Sequence, residues 1–542
     1  MNPQASEFIP SWLASSAQQQ QQQPEAQTSW EDEDAAPGQV VQPPVQELSA
    51  VRISDNTPDT KPKANNIDSQ PPVQKAPKGD AKRKESTANE KANQAANSAP
   101  DFDPSDFDLD EKKPLNVVLL GHVDAGKSTI SGHLLVLTGN VDERTMDKYE
   151  KEAKALNRES WKFAFALDTS EQERQKGKTE ECGQASFTTE TRRFTILDAP
   201  GHKNYVPHMI GGASQADIGI LVISARKGEF ETGFERGGQT REHAMLAKTS
   251  GVRQMVVVVN KLDDPSVTNP DGSWNEERFF ECKKKLEPYL RNVGWNPKGV
   301  VWIPVSGLTG DNLKHKPPKE VCDWYDGQSL LDTLEHLRPP ERLLNGPVKM
   351  PISEKHKEMG TMVMGKLESG VIQVNDALVM MPNRVEVVVD AVQLEGSTAQ
   401  AAEPGDVVRL RLKGIDEEEV RVGFVLCSPR DLVSYTRSFI AKLMILEHKS
   451  IICAGYSAVI HIHAAVEEVS IVKLLAELNK SGKAKQRHPK FVKPGMKCLA
   501  LLRTTLPVCV EPYDVFPQLG RFMIRDEGKT VAVGTVARLQ SD

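Results

Sequence analysis

No apolar run in these 542 residues approaches the ~18–20 positions that a helix needs to cross a bilayer, and no hydrophobic leader follows Met1. No membrane association is therefore expected. The seven cysteines include no Cys-x-x-Cys pair, which speaks against a disulfide framework and a structural zinc site. A surplus of positive charge is missing too. The 68 Lys and Arg against 75 Asp and Glu leave a formal charge of −7, so the chain does not coat nucleic acid by charge alone. Any RNA contact must come from local basic patches. At roughly 100–200 residues per domain, the expectation is a soluble, cytoplasmic chain of about three or four domains.

Residues 1–113 are poor in apolar side chains. They hold a glutamine run, Gln18 to Gln23, and a mixed-charge stretch from Lys75 to Lys91. So few apolar groups do not offset the entropy of ordering, and a disordered extension is expected. A solvated tail is favoured over self-assembly for the glutamine run. A linker is favoured over a localisation signal for Lys82-Arg83-Lys84, which acidic residues flank.

From Leu115 onward, short β-branched runs alternate with helical stretches: Leu115–Leu120, Arg193–Leu197, Ile218–Ser224, Gln254–Val259 and Val300–Val305. Between the last two, Phe279, Leu286, Tyr289, Leu290 and Val293 make one stripe of a helix. Continuous apolar strands separated by helices predict a parallel sheet covered on both faces, a single α/β domain over 114–340. After the Pro-rich junction at Arg338-Pro339-Pro340 the rhythm changes to short strands and turns, which predicts two all-β barrel domains, 346–435 and 436–542.

The segment Gly121-His122-Val123-Asp124-Ala125-Gly126-Lys127-Ser128, followed by Thr129, matches GxxxxGK[ST] between a strand and a helix. Such a turn points successive backbone N–H groups at a polyphosphate on a helix N-terminus. Lys127 would neutralise the β- and γ-phosphates, and the Ser128 hydroxyl suits Mg²⁺. Asp198, at the end of the next strand, is placed for the Mg²⁺ hydration shell, and Gly201 leaves an N–H for the γ-phosphate. In Asn260-Lys261-Leu262-Asp263, the Asp263 carboxylate can accept from the guanine N1–H and N2 amino edge, a donor pair that adenine lacks. Asn260 suits N7, and the Lys261 stem can lie along the base. In Ser306-Gly307-Leu308 a backbone N–H could meet guanine O6. Taken singly each element is weak; four of them at the ends of parallel strands favour a P-loop GTPase domain binding GTP or GDP with Mg²⁺.

Thr179, in Gly177-Lys178-Thr179, sits where a switch segment would supply a second Mg²⁺ hydroxyl, with an ordinary loop threonine as the alternative. His202 could orient the attacking water, or be a plain exposed histidine. His461 and His463 share a strand face, yet without a third ligand type they are expected to be structural. The basic cluster Lys480, Lys483, Lys485, Arg487, Lys490, Lys493 and Lys497 could touch RNA phosphates, with a solvated loop slightly favoured.

These motifs, together with Gly238-Gln239-Thr240-Arg241-Glu242-His243, resemble the translational GTPases of the aminoacyl-tRNA elongation factor superfamily. Three segments are similar to the eukaryotic class II peptide chain release factors within it: Lys176-Gly177-Lys178-Thr179, Glu447 to Cys453, and Gly520-Arg521-Phe522 leading into Arg525 to Thr530. The resemblance implies a GTPase domain and two β-barrels. It also implies GTP hydrolysis stimulated on the ribosome that drives a class I release factor into place at a stop codon. It maps the family's catalytic histidine onto His202 and the switch threonine onto Thr179, and implies that the last barrel docks the class I factor through Gly520, Arg521 and Phe522. The stretch from Pro339 to Pro351 reads as shorter than the family's usual linker, which puts the packing of the GTPase domain on the first barrel in question. Two other activities compete, a ribosome-rescue paralogue and an elongation factor carrying aminoacyl-tRNA. Residues 1–10 resemble the short motif by which disordered tails bind the C-terminal domain of poly(A)-binding protein, with Phe8 as the aromatic anchor.

Overall fold

The computed structural model describes residues 112–540, apart from 169, 236, 237, 359, 447, 449, 480 and 481. The expected disordered extension and its Phe8 motif lie outside the described residues.

Six strands build the first domain: β1 (Lys113–Gly121), β2 (Gly183–Thr188), β3 (Arg192–Asp198), β4 (Ile218–Ser224), β5 (Gln254–Asn260) and β6 (Val300–Pro304). They lie in the order β2-β3-β1-β4-β5-β6. Five of them pair in parallel, as their continuous apolar runs require. Within β1, Leu115, Val117 and Leu119 pack on the face covered by Ile130 and Leu134 of helix Lys127–Leu137. Val118 and Leu120 pack on the other face, with Met209, Leu246, Phe279, Leu286 and Leu290 from three further helices. The expected stripe of helix Glu276–Val293 is thus one wall of that core.

The sheet is not wholly parallel, which corrects the sequence reading. Its edge strand β2 runs antiparallel to β3. β2 is polar and half-exposed, so hydrophobic patterning hides it; Phe187 is its one fully buried side chain, stacked on Phe194 of β3 with ring centroids 5.0 Å apart.

The rest is antiparallel. Strands β7 (Lys349–Lys357), β8 (Thr361–Lys366), β9 (Ile372–Gln373), β10 (Ala377–Met381), β11 (Val385–Leu394), β12 (Ser397–Ala399), β13 (Ala401–Ala402), β14 (Val407–Lys413) and β15 (Val425–Cys427) form the second domain. The order β10-β15-β7-β8-β14-β11, closed by pairing of β10 with β11, makes a barrel, to which β12 is appended. The third domain repeats this plan. It holds β16 (Tyr435–Ile445), β17 (Ile452–Cys453), β18 (Ser457–Ile462), β19 (Ala465–Leu478), β20 (Ala484–Arg487), β21 (Phe491–Val492), β22 (Lys497–Cys509), β23 (Arg521–Asp526) and β24 (Lys529–Gln540). Pairing of β18 with β19 closes the ring β18-β23-β24-β16-β22-β19, and β20 hangs from β19 as an added edge. Closure removes exposed edges from both barrels except at the appended strands.

Buried charge joins the three domains. Asp217, just before β4, receives Arg342 of the interdomain stretch at 2.6 Å and Lys366 of β8 at 3.0 Å. Arg193 of β3 pairs with Asp406 at 2.9 Å. Arg342 and Lys366 therefore fix the first barrel on the α/β domain across the stretch between Pro339 and Pro351. Arg525 of the second barrel reaches Glu242 at 2.9 Å.

Candidate functional site

The P-loop leaves β1 through Gly121 at φ 141° and closes through Gly126 at φ 95°, backbone states that strain any side chain. A Cβ on Gly121 would collide with the Val222 carbonyl, and one on Gly126 with the Asn260 amide. No side chain caps helix Lys127–Leu137, so its first N–H groups are left for an anion. They face a cavity of about 400 Å³, the size of a small-molecule site. Val123, Asp124, Gly126, Lys127, Ser128 and Thr129 line one wall of it, with Gly201 and His202 beside them. Asn260, Lys261, Asp263 and Leu308 lie at the base end, and Lys178 and Thr179 at the phosphate end. The remaining sequence candidates, Gly121, His122, Ala125, Asp198, Ser306 and Gly307, stand behind this lining.

Lys127 is buried and donates to the His122 carbonyl oxygen at 2.9 Å. Ser128 Oγ and Thr179 Oγ1 meet at 3.2 Å, so Thr179 lies against the P-loop serine. Beneath them Asp198 is fully buried, and neither carboxylate oxygen has a hydrogen-bond partner. Burial pushes its pKa up to about 6 against the pull of Lys127. Asp168, nearly buried on the cavity wall, has an unpartnered Oδ1. Burial, and then the charges of Asp198 and Glu173, push its pKa up to about 7. Two hydroxyls converge here with two buried carboxylates whose pKa values burial raises despite Lys127 and Arg174, an arrangement that a bound cation would relieve. All four are hard oxygen donors, so the set fits Mg²⁺.

Asp168 was not foreseen, nor was Glu173. The Glu173 Oε1 atom accepts from the N–H groups of Glu180 and Glu181 at 2.9 and 3.3 Å, tying down the segment that carries Thr179. Its signal was present: Ser170 and Glu173 have capping-box spacing, and the box forms. Trp161 packs its ring against Gly177, which sits at φ 62°.

At the base end, Asn260 braces two loops. Its Oδ1 accepts from Gly307 N–H at 2.8 Å and its Nδ2 donates to the Ala125 carbonyl oxygen at 2.9 Å. The expected N–H for guanine O6 is therefore not that of Gly307, which Asn260 already takes; in the same loop Leu308 faces the cavity. Lys261 crosses the cavity at φ 64° to Glu229, 2.8 Å from its Oε2, and Glu229 also accepts from Ser224 Oγ at 2.7 Å. Asp263 lines the cavity and takes no side-chain hydrogen bond from the described residues, so its carboxylate is free for a ligand.

His202 stands at the cavity mouth. Its Nδ1 accepts from Asn204 N–H at 3.3 Å, which puts the ring proton on Nε2 in the neutral form. Behind the P-loop, the buried His243 accepts from Gly121 N–H at 3.1 Å through Nδ1. Burial, then Lys127, His122 and Arg525, pushes its pKa down to about 3, so it stays neutral. His461 is buried in barrel strand β18, and burial pushes its pKa down to about 4. His463 lies 3.6 Å from Glu368 of the first barrel.

The proposed docking motif needs correcting. Phe522 is only 1% exposed and packs edge-on to Phe439 inside the second barrel, 5.8 Å between ring centroids. Gly520 is buried too, and Arg521 lies over the Tyr513 ring and against Gly251 of the GTPase domain. The motif shapes the barrel and its seat on the GTPase domain, so a partner cannot grip Phe522 directly.

Residues 112–344 match the elongation factor Tu GTP binding domain, 360–427 elongation factor Tu domain 2, and 438–537 the GTP-eEF1A C-terminal domain-like family. A eukaryotic peptide chain release factor GTP-binding subunit from Kluyveromyces lactis is 52% identical over 431 residues, which is 79% of this chain and 61% of that protein. Its counterpart from Schizosaccharomyces pombe is 51% identical over 435 residues, 80% of this chain and 65% of that protein. The chain thus spans about three fifths of the length of the curated relatives it matches. Among solved structures, the Saccharomyces cerevisiae Ski7 GTPase-like domain bound to GTP shares the fold at a TM-score of 0.67 and 19% identity, covering 80% of this chain and 99% of that one. The chain belongs to the elongation factor Tu-type GTPases and, within them, to the family of eukaryotic peptide chain release factor GTP-binding subunits.

Proposed function

We propose that this chain hydrolyses GTP to GDP and phosphate on the ribosome, and that hydrolysis drives a class I release factor into place at a stop codon in the cytoplasm. The observation that carries the reading is one cavity onto which the P-loop, Thr179, His202, Asn260, Lys261 and Asp263 all open. Backbone N–H groups of Asp124 to Thr129 and the Lys127 ammonium hold the phosphates, and Asp263 selects guanine. Ser128 and Thr179 would hold Mg²⁺ directly, with Asp198 and Asp168 behind them. The bound ion supplies charge neutralisation for the transferring phosphoryl group. His202, with its proton on Nε2, donates to and orients the attacking water rather than deprotonating it, since phosphoryl transfer rests on positioning. Family membership at about half identity supports the termination role over aminoacyl-tRNA delivery or ribosome rescue.

The test is turnover of purified chain with ribosomes and the class I factor. GTP should be hydrolysed and ATP should not, and His202→Ala should keep GTP affinity while slowing hydrolysis by orders of magnitude. A preference for ATP, or no ribosome stimulation, overturns the reading; normal turnover in His202→Ala removes that residue's role.

Poly(A)-binding protein is proposed as a second partner, held by Phe8 in a segment outside the described residues. In a peptide titration Phe8→Ala should abolish binding, and undiminished affinity would end the idea.

A further inference from the structure

Between Glu477 and Glu511 the chain has no acidic residue, in a protein whose net charge is −7. Lys483, Lys485, Arg487, Lys490, Lys493 and Lys497 fall in this stretch. The structure places them on and around β20 and β21, two strands of the second barrel that lie outside its closed ring. β20 pairs with β19 alone, and all four of its residues are exposed. From Gly482 to Lys497 only Pro489 and Val492 are buried and Met496 half-buried. Lys485 is neutralised by Glu477 at 2.7 Å. Among the described residues no carboxylate pairs with Lys483, Arg487, Lys490, Lys493 or Lys497. Amid these cations Phe491 is 41% exposed and Ile451, at the head of the β17 strand that pairs with β21, is 50% exposed. The Lys493 ammonium lies 5.7 Å from the Phe491 ring centroid.

We propose that the β20–β21 edge of the second barrel is an RNA-binding strip. Its uncompensated cations would follow a phosphate backbone, and the Phe491 ring would stack on an unpaired base. Lysine is depleted in protein–protein interfaces, which are built around apolar centres. A lysine-rich strip with a single exposed aromatic ring instead matches the electrostatic groove plus stacking platform of single-strand binding. Repulsion among so many like charges on a net acidic chain is relieved by a polyanion. The strip stands apart from the nucleotide site and does not depend on GTP hydrolysis.

The test uses the full chain and a fluorescein-labelled RNA hairpin with an unpaired loop, followed by anisotropy over a range of salt concentrations. The combined variant Lys483→Gln, Arg487→Gln, Lys490→Gln and Lys497→Gln should bind roughly tenfold or more weakly. At ~0.7 per phosphate contact, the slope of log affinity on log salt should flatten by about 3. Phe491→Leu should weaken binding to the looped hairpin but not to a blunt duplex. GTP affinity, measured in parallel, should match that of the unaltered chain, which separates failure here from failure of the nucleotide site. Equal RNA affinity and slope in the combined variant would overturn the proposal. So would loss of class I factor capture with RNA binding intact, which would mark the strip as a protein-docking surface.

Discussion

Asn260 and Asp263 stand three residues apart and face opposite demands. Asn260 is spent on the protein: removing its amide strips a partner from the Ala125 carbonyl and from Gly307 N–H, two groups at the back of the nucleotide cavity. Each unsatisfied buried group costs ~1–3 kcal/mol. Asp263 makes no such bond, so its carboxylate serves the ligand alone. Asn260→Ala should therefore lower both the melting temperature and guanine nucleotide affinity. Asp263→Asn should leave the melting temperature unchanged and shift base preference from guanine toward xanthine, whose edge reverses one donor. Thermal melting paired with competition by GTP and XTP separates the two. Equal destabilisation by both substitutions would mean that Asp263 is structural. The motif was legible in the sequence, but this division of labour was not, because it depends on which loops the fold brings within 3 Å of the Asn260 amide.

At the scale of elements, legibility follows burial. The strands Ile218–Ser224 and Gln254–Asn260 are covered on both faces, and their unbroken apolar runs located them to within a residue. β2 carries a single fully buried side chain and exists because β3 offers it a ladder, so no local pattern announces it. The barrel strands were recognisable as short runs set between turn signals. Which strands complete each ring is set by contacts distant in sequence, such as β15 with β7 and β16 with β24. Closure in turn decides what the edges do. The Gly520-Arg521-Phe522 segment looked like a surface motif, yet strand β23 lies between β18 and β24 and its phenylalanine points into the barrel. The neighbouring helix Gln239–Ser250 shows how elements are coupled. His243 holds Gly121 of the P-loop while Glu242, one residue earlier, receives Arg525 and Thr530 of the second barrel. One helix turn thus touches both the phosphate loop and the third domain.

The whole molecule is held together at buried charges rather than by a shared apolar core alone. Asp217 is the centre of that arrangement: Arg342 and Lys366 reach it from the interdomain stretch and the first barrel, and Asn116 N–H donates to it at 3.1 Å. Burial by itself would raise its pKa, but the two cations and these hydrogen bonds outweigh it and hold the carboxyl below the usual carboxylate value. A depressed folded-state pKa contributes stability that is present above the unfolded value, ~3.9, and is lost as pH falls through the folded one. Asp217→Asn keeps the shape but leaves Lys366 and Arg342 as buried charges short of a partner, which costs on the order of 3–5 kcal/mol. Near pH 7 the variant should therefore melt well below the unaltered chain. The gap should start to narrow only as pH drops below about 4, where the unfolded chain's carboxylate takes a proton, and should go on narrowing as pH falls through the lower folded-state value. Melting curves collected from neutral to acid pH decide the matter, because a gap that stays constant across that range would show that Asp217 acts through shape and not through its charge.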